Sequence, residues 1–84
     1  MIFSVRIKDS AAKALRKLPQ AYRHRLIEAI DRLRETPTAG GALKGEFAGL
    51  RRLRVGRYRI IYEVIEAELV VLVIRIGHRK DVHR

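Results

Sequence analysis

Residues 50–64, LRRLRVGRYRIIYEV, read as two β-strands joined by a tight turn at Gly56-Arg57. The first strand runs through Leu53 and Val55 and the second from Tyr58 to Ile65, with a glycine where a two-residue hairpin needs a positive φ. Positions 51–59 hold Arg51, Arg52, Arg54, Arg57 and Arg59 and no acidic residue. That charge repels itself, so the segment costs stability unless an anionic partner offsets it. Because it is mounted on a sheet rather than a tail, its guanidinium groups are held rigidly, as recognition or cleavage of a phosphate backbone requires.

Working outward, Leu69 to Ile76 is apolar on both faces, which predicts a third strand inside the sheet. Upstream, residues 37–49 contain Pro37, Gly40, Gly41, Gly45 and Gly49 and read as a loop. Before it, Tyr22, Leu26, Ala29, Ile30 and Leu33 fall at helical spacing, and Thr36-Pro37 stops the helix. Ala11, Leu15 and Leu18 mark a shorter first helix, with Asp9 or Ser10 offered as its N-cap and Pro19 separating the two helices. Ile2 to Lys8 alternates strictly, predicting a strand with Phe3, Val5 and Ile7 inward. The expected fold is α+β in the order β-α-α-β-β-β: a helical hairpin packed on one face of a largely antiparallel four-stranded sheet. The opposite face is left to the arginines, and residues 1–84 form one domain.

Nineteen Lys and Arg against nine Asp and Glu give a net charge of +10 on 84 residues, which implies a polyanionic partner. A membrane partner is not expected, because the longest apolar run is too short to span a bilayer. The N-terminal strand pattern lacks the apolar core of a secretory signal, and the chain has no cysteine, so a cytoplasmic protein without disulfides or a thiol nucleophile is expected. Metal and other cofactors are not expected either: His78 and His83 stand five apart without companions, and His24 belongs to a helix. GGALKG has a lysine but not the spacing of a phosphate-cradling loop.

Strand alternation sets Arg52 and Arg54 on one face and Arg51, Leu53 and Val55 on the other. Arg59, Ile61 and Glu63 share a face of the next strand, opposite Tyr58, Ile60, Tyr62 and Val64. The last strand runs into IGHRKDVHR, which supplies His78, Arg79, Lys80 and His83. Arginines gathered with one or two histidines can stabilise a pentacoordinate phosphorane while a proton leaves a ribose 2′-hydroxyl. That is metal-free RNA cleavage. Arg59 and Arg79 are expected to be exposed.

LKGEFAGLRRLRVGRYRIIYEV followed by LVVLVIRIGHRKDVHR resembles the RelE toxins of the RelE/ParE superfamily over nearly the whole chain. The resemblance implies a microbial-ribonuclease-like fold. It also implies a ribosome-dependent endoribonuclease that cuts mRNA in the A site by 2′-oxygen attack, leaving a 2′,3′-cyclic phosphate and a 5′-hydroxyl. Carried over position by position, Arg52 and Arg54 match basic positions of the family's strand, Arg59 the arginine of its YR pair, and Arg79 the arginine after GH or GK. Arg52, Arg59, Arg79 and His83 are thus the candidate catalytic residues. Arg51, Arg54, Lys80 and His78 are candidates for RNA phosphate contact.

Two positions depart from the family pattern. His83 stands where a tyrosine commonly orients the base beside the cut; imidazole stacks too, and its pKa near 6.5 allows proton transfer. Arg51 stands where an aromatic residue is usual. The resemblance further implies an acidic or amphipathic RelB-like antitoxin that wraps the toxin in a hetero-oligomer and blocks its access to the ribosome and mRNA. The alternatives are a ParE-like inhibitor of DNA gyrase and a module that binds mainly its antitoxin.

Overall fold

The computed structural model describes residues 2–78. Strand β1 (Ser4–Ile7) leads into helices α1 (Asp9–Arg16) and α2 (Gln20–Arg32). After them come β2 (Gly41–Ala42), β3 (Leu50–Val55), β4 (Tyr58–Ile65) and β5 (Val70–His78). The strands form one sheet in the order β1-β5-β4-β3-β2. β1 runs parallel to β5, and the other neighbours are antiparallel.

The sheet has five strands where four were expected. The added one, β2, is two residues inside the glycine-rich segment, pairing Gly41 with Arg52 and Ala42 with Arg51. Its position is set by side chains rather than by strand propensity. The Tyr62 hydroxyl accepts from the Gly40 N–H at 2.9 Å and donates to the Pro37 carbonyl at 2.7 Å. Arg51 donates from Nη1 to the Gly40 carbonyl at 2.7 Å. A Cβ at Gly40 would lie 2.7 Å from the Tyr62 oxygen and 2.8 Å from the Arg52 carbonyl, so only glycine fits there.

Both helices cover one face of the sheet. Ala11 and Leu15 of α1, Leu26 and Ile30 of α2, and Leu33 just beyond it pack on Ile60, Tyr62, Val71, Val73 and Ile76. Val5 and Ile7 of β1, and Phe3 just before it, pack against this core, as their alternation predicted. Full burial of each large aliphatic side chain contributes about 1.5–3 kcal/mol, and Leu26 and Ile60 are completely buried. The cap of α1 differs from expectation. Lys8 occupies the N-cap without a side-chain hydrogen bond, and Asp9 is the first helical residue, where its charge still complements the helix dipole.

Gly56 turns the β3–β4 hairpin with φ 60°, and Arg57 keeps a negative φ, the pattern of a II′ turn. Between β4 and β5 the chain makes a short 3-10 turn and places Leu69 in the left-handed region at φ 54°. The register of β4 on β5 then shifts: Ile61 pairs with Arg75, but Tyr62 pairs with Val73. Ile74 is the extra residue of this bulge. The shift lets Val71, Val73 and Ile76 all join the helix-side core although 73 and 76 break a strict alternation.

Candidate active site on the open face of the sheet

The face turned away from the helices carries two rows of side chains across the strands. One row is Arg52 on β3, Ile61 on β4 and Arg75 on β5; the next is Arg54, Arg59 and Gly77. At the usual strand spacing the backbones of Arg52 and Arg75 are about 10 Å apart, with Ile61 between them. Two long guanidinium side chains rooted on either side of Ile61 can close on one anion at that separation, and Gly77 adds no side chain beside Arg59.

A cavity of about 210 Å³ opens over these rows. Arg52, Arg59 and Arg75 line it together with Ile61 and Ile74 from the sheet and Leu50 at the start of β3. Leu43 and Phe47, from the segment between β2 and β3, make its wall. Residues 43–49 therefore convert an otherwise flat sheet face into a concave site.

Arg59 is buried, with 4% of its surface exposed, where exposure was expected. It sits on the middle strand, between β3 and β5, and lines the same cavity as Leu43 and Phe47. A guanidinium is not deprotonated in proteins, so it holds a fixed positive charge in a low-dielectric setting. Arg52 is half-buried, and Arg75 is exposed.

The structure brings Arg52 and Arg59 into one cavity and separates other sequence candidates from it. Arg54 is exposed and lines a broader cleft of about 400 Å³ between α2 and β3, with Arg25, Glu28 and Arg32. Arg51 pairs with Tyr62 on the helix side and bonds the Gly40 carbonyl, so its charge holds the loop rather than facing the cavity. His78 pairs with Tyr58, and their rings meet edge to face at 5.7 Å, on the side opposite Arg59. Arg79, Lys80 and His83 lie outside the described residues.

Arg75 was missed in the sequence. Strict alternation from Val71 and Val73 would put it among the core-facing residues; only the bulge at Ile74 turns it to the open face. Phe47 was missed because its segment carries loop composition and no strand pattern.

Burial in the core raises the pKa of the Tyr62 phenol, opposed by the Gly40 amide and the Arg51 charge. The group serves as a neutral hydrogen-bonding post, remote from the cavity. Among the described residues no three His, Cys, Asp or Glu side chains gather closely enough to hold a metal ion. No helix among them is long and apolar enough to cross a membrane.

Residues 5–83 match the family described as the ParE toxin of the type II toxin–antitoxin system, parDE. Toxin RelG of Mycobacterium tuberculosis is 33% identical, over all of this chain and 99% of its own length. The toxin–antitoxin complex RelBE2 of the same organism superposes with a TM-score of 0.87 at 30% identity, covering 94% of this chain and 100% of that one. A mutant of E. coli toxin RelE in the free state gives 0.83 at 26% identity, covering 99% and 90%.

Proposed function

Because this chain belongs to the RelE/ParE family of type II toxin–antitoxin toxins, we propose that it is a ribosome-dependent endoribonuclease that cleaves mRNA in the A site. The observation that carries this reading is the convergence of Arg52, Arg59 and Arg75 on one concave site. Three fixed positive charges around a phosphate stabilise the charge that builds on the nonbridging oxygens as the 2′-oxygen attacks. No metal is needed for that work.

The reaction breaks the phosphorus–5′-oxygen bond as the 2′-oxygen–phosphorus bond forms, leaving a 2′,3′-cyclic phosphate and a 5′-hydroxyl. Guanidinium groups cannot accept the 2′-hydroxyl proton near pH 7. That role falls to His83, and Arg79 assists the leaving 5′-oxygen. Arg54, outside the cavity, contacts a flanking phosphate, and Lys80 is assigned the same kind of contact. Arg51 and His78 are better assigned to the helix side, where they hold the loop and the Tyr58 ring.

The physiological partner is a RelB-like antitoxin. Complexes of toxins with antitoxins among the structural relatives support it, as does the +10 charge, which suits an acidic chain as well as RNA. The protein acts in the cytoplasm, where ribosomes and mRNA are found. Purified toxin added to programmed ribosomes should cut the A-site codon and leave the same message intact without ribosomes. An uncut message at saturating toxin would overturn the reading.

The ParE description of the matching family favours a second reading, inhibition of DNA gyrase. Accumulation of gyrase cleavage complexes, with the ribosomal message untouched, would select it.

A further inference from the structure

The cavity is not built for a phosphate alone. Beside its three arginines stand Leu43, Phe47, Leu50, Ile61 and Ile74, so most of its lining offers no hydrogen bond to an oxyanion. Phe47 leaves 47% of its surface exposed, a large aromatic group at the rim of a charged site. Exposed aromatic surface beside fixed cations suits a ligand in which a flat apolar body is joined to an anion. A nucleotide has that form.

Resting on the nuclease reading, we propose that Phe47 and the apolar half of this cavity form a base-binding subsite, holding the base of a nucleotide that flanks the scissile phosphate. The base stacks on the Phe47 ring while Arg52, Arg59 and Arg75 take its phosphate. Charge complementarity sets the occupant: a nucleotide brings an anion to a site lined by three arginines, which an apolar peptide side chain does not. Stacking of this kind tolerates any base, because each has a π-face. Codon preference would then come from stacking strength at this position.

The test is single-turnover cleavage on ribosomes programmed with an ordinary message or with one carrying an abasic ribonucleotide on either side of the cut. The abasic residue keeps the 2′-hydroxyl and the phosphate, so only the base is removed. Wild-type toxin should cut the abasic message roughly 5- to 150-fold more slowly at one of the two positions, the range expected from loss of one stacked base. Phe47→Ala should erase that difference, and Phe47→Trp should keep it. Equal wild-type rates on ordinary and abasic messages at both positions would overturn the subsite while leaving the nuclease reading intact. Wild-type rates from Phe47→Ala, with weakened binding of an antitoxin peptide, would assign the cup to a protein partner and also overturn it. Failure to cut even the ordinary message would bring down the nuclease reading, and the subsite with it.

Discussion

Arg54 and Arg59 stand directly opposite each other across the β3–β4 ladder. Like charges in that relation oppose folding by roughly 0.2–1 kcal/mol. The site therefore keeps its charge at some cost in stability, which a bound polyanion offsets. Arg54→Thr should stabilise the free protein by about 0.5 kcal/mol in low salt. The gain should shrink toward zero near about 0.5 M salt, because the Arg54 side is exposed and screened. Urea melts at two ionic strengths check this, and a salt-independent gain would point to strand propensity instead.

Tyr62 ties the core to the loop that builds the extra strand. Tyr62→Phe removes the acceptor of the Gly40 N–H and the donor to the Pro37 carbonyl, at a cost of about 1–3 kcal/mol. The pH dependence follows from its raised pKa. The folded state holds the phenolic proton more tightly than the unfolded state, whose value is 10.0. The Tyr62 contribution is thus fully present below pH 10.0 and is lost as pH rises through the higher folded value. Denaturation curves from neutral to alkaline pH should fall more steeply for wild type than for Tyr62→Phe.

Leu26 is fully buried where α2 meets the sheet. Leu26→Ala should cost roughly 2–5 kcal/mol through the lost transfer energy and the cavity left behind. Chemical denaturation should show this as a lower midpoint with little change in slope.

Leu69 holds a left-handed conformation at φ 54° while its carbonyl accepts the Ser4 N–H at 2.8 Å. A side chain in that region costs roughly 1–2 kcal/mol, which glycine avoids. Leu69 is 38% exposed, so its truncation also forfeits the burial of most of its side chain. Relief of strain and loss of burial oppose each other, so Leu69→Gly should leave the melting temperature little changed, and a large fall would show that burial outweighs strain.

Regular periodicity made much of this molecule legible. Phe3, Val5 and Ile7 at every second position, and Leu26, Ile30 and Leu33 at helical spacing, placed the first strand and the long helix. Gly56 marked the hairpin, and alternation set Arg52 with Arg54 on one face of its first strand. What escaped was what tertiary contacts decide. β2 exists because Tyr62 and Arg51 grip Gly40, and no local pattern in Gly40-Gly41-Ala42 announces it. The bulge at Ile74 resets alternation, so Arg75 could not be assigned to the arginine face from spacing. Burial of Arg59 depends on tertiary packing, whereas an arginine in sequence suggests a surface.

The central claim is that arginines on the open face of the sheet carry out cleavage on the ribosome. Single-turnover cutting of an A-site codon, compared among wild type, Arg52→Ala and Arg59→Lys, tests it most directly. Arg59→Lys keeps the buried charge but loses the planar fork, which separates catalysis from folding. The account predicts a 2′,3′-cyclic phosphate end from wild type and a loss of about 100-fold or more for each variant at unchanged ribosome binding. Wild-type rates from both variants would contradict it.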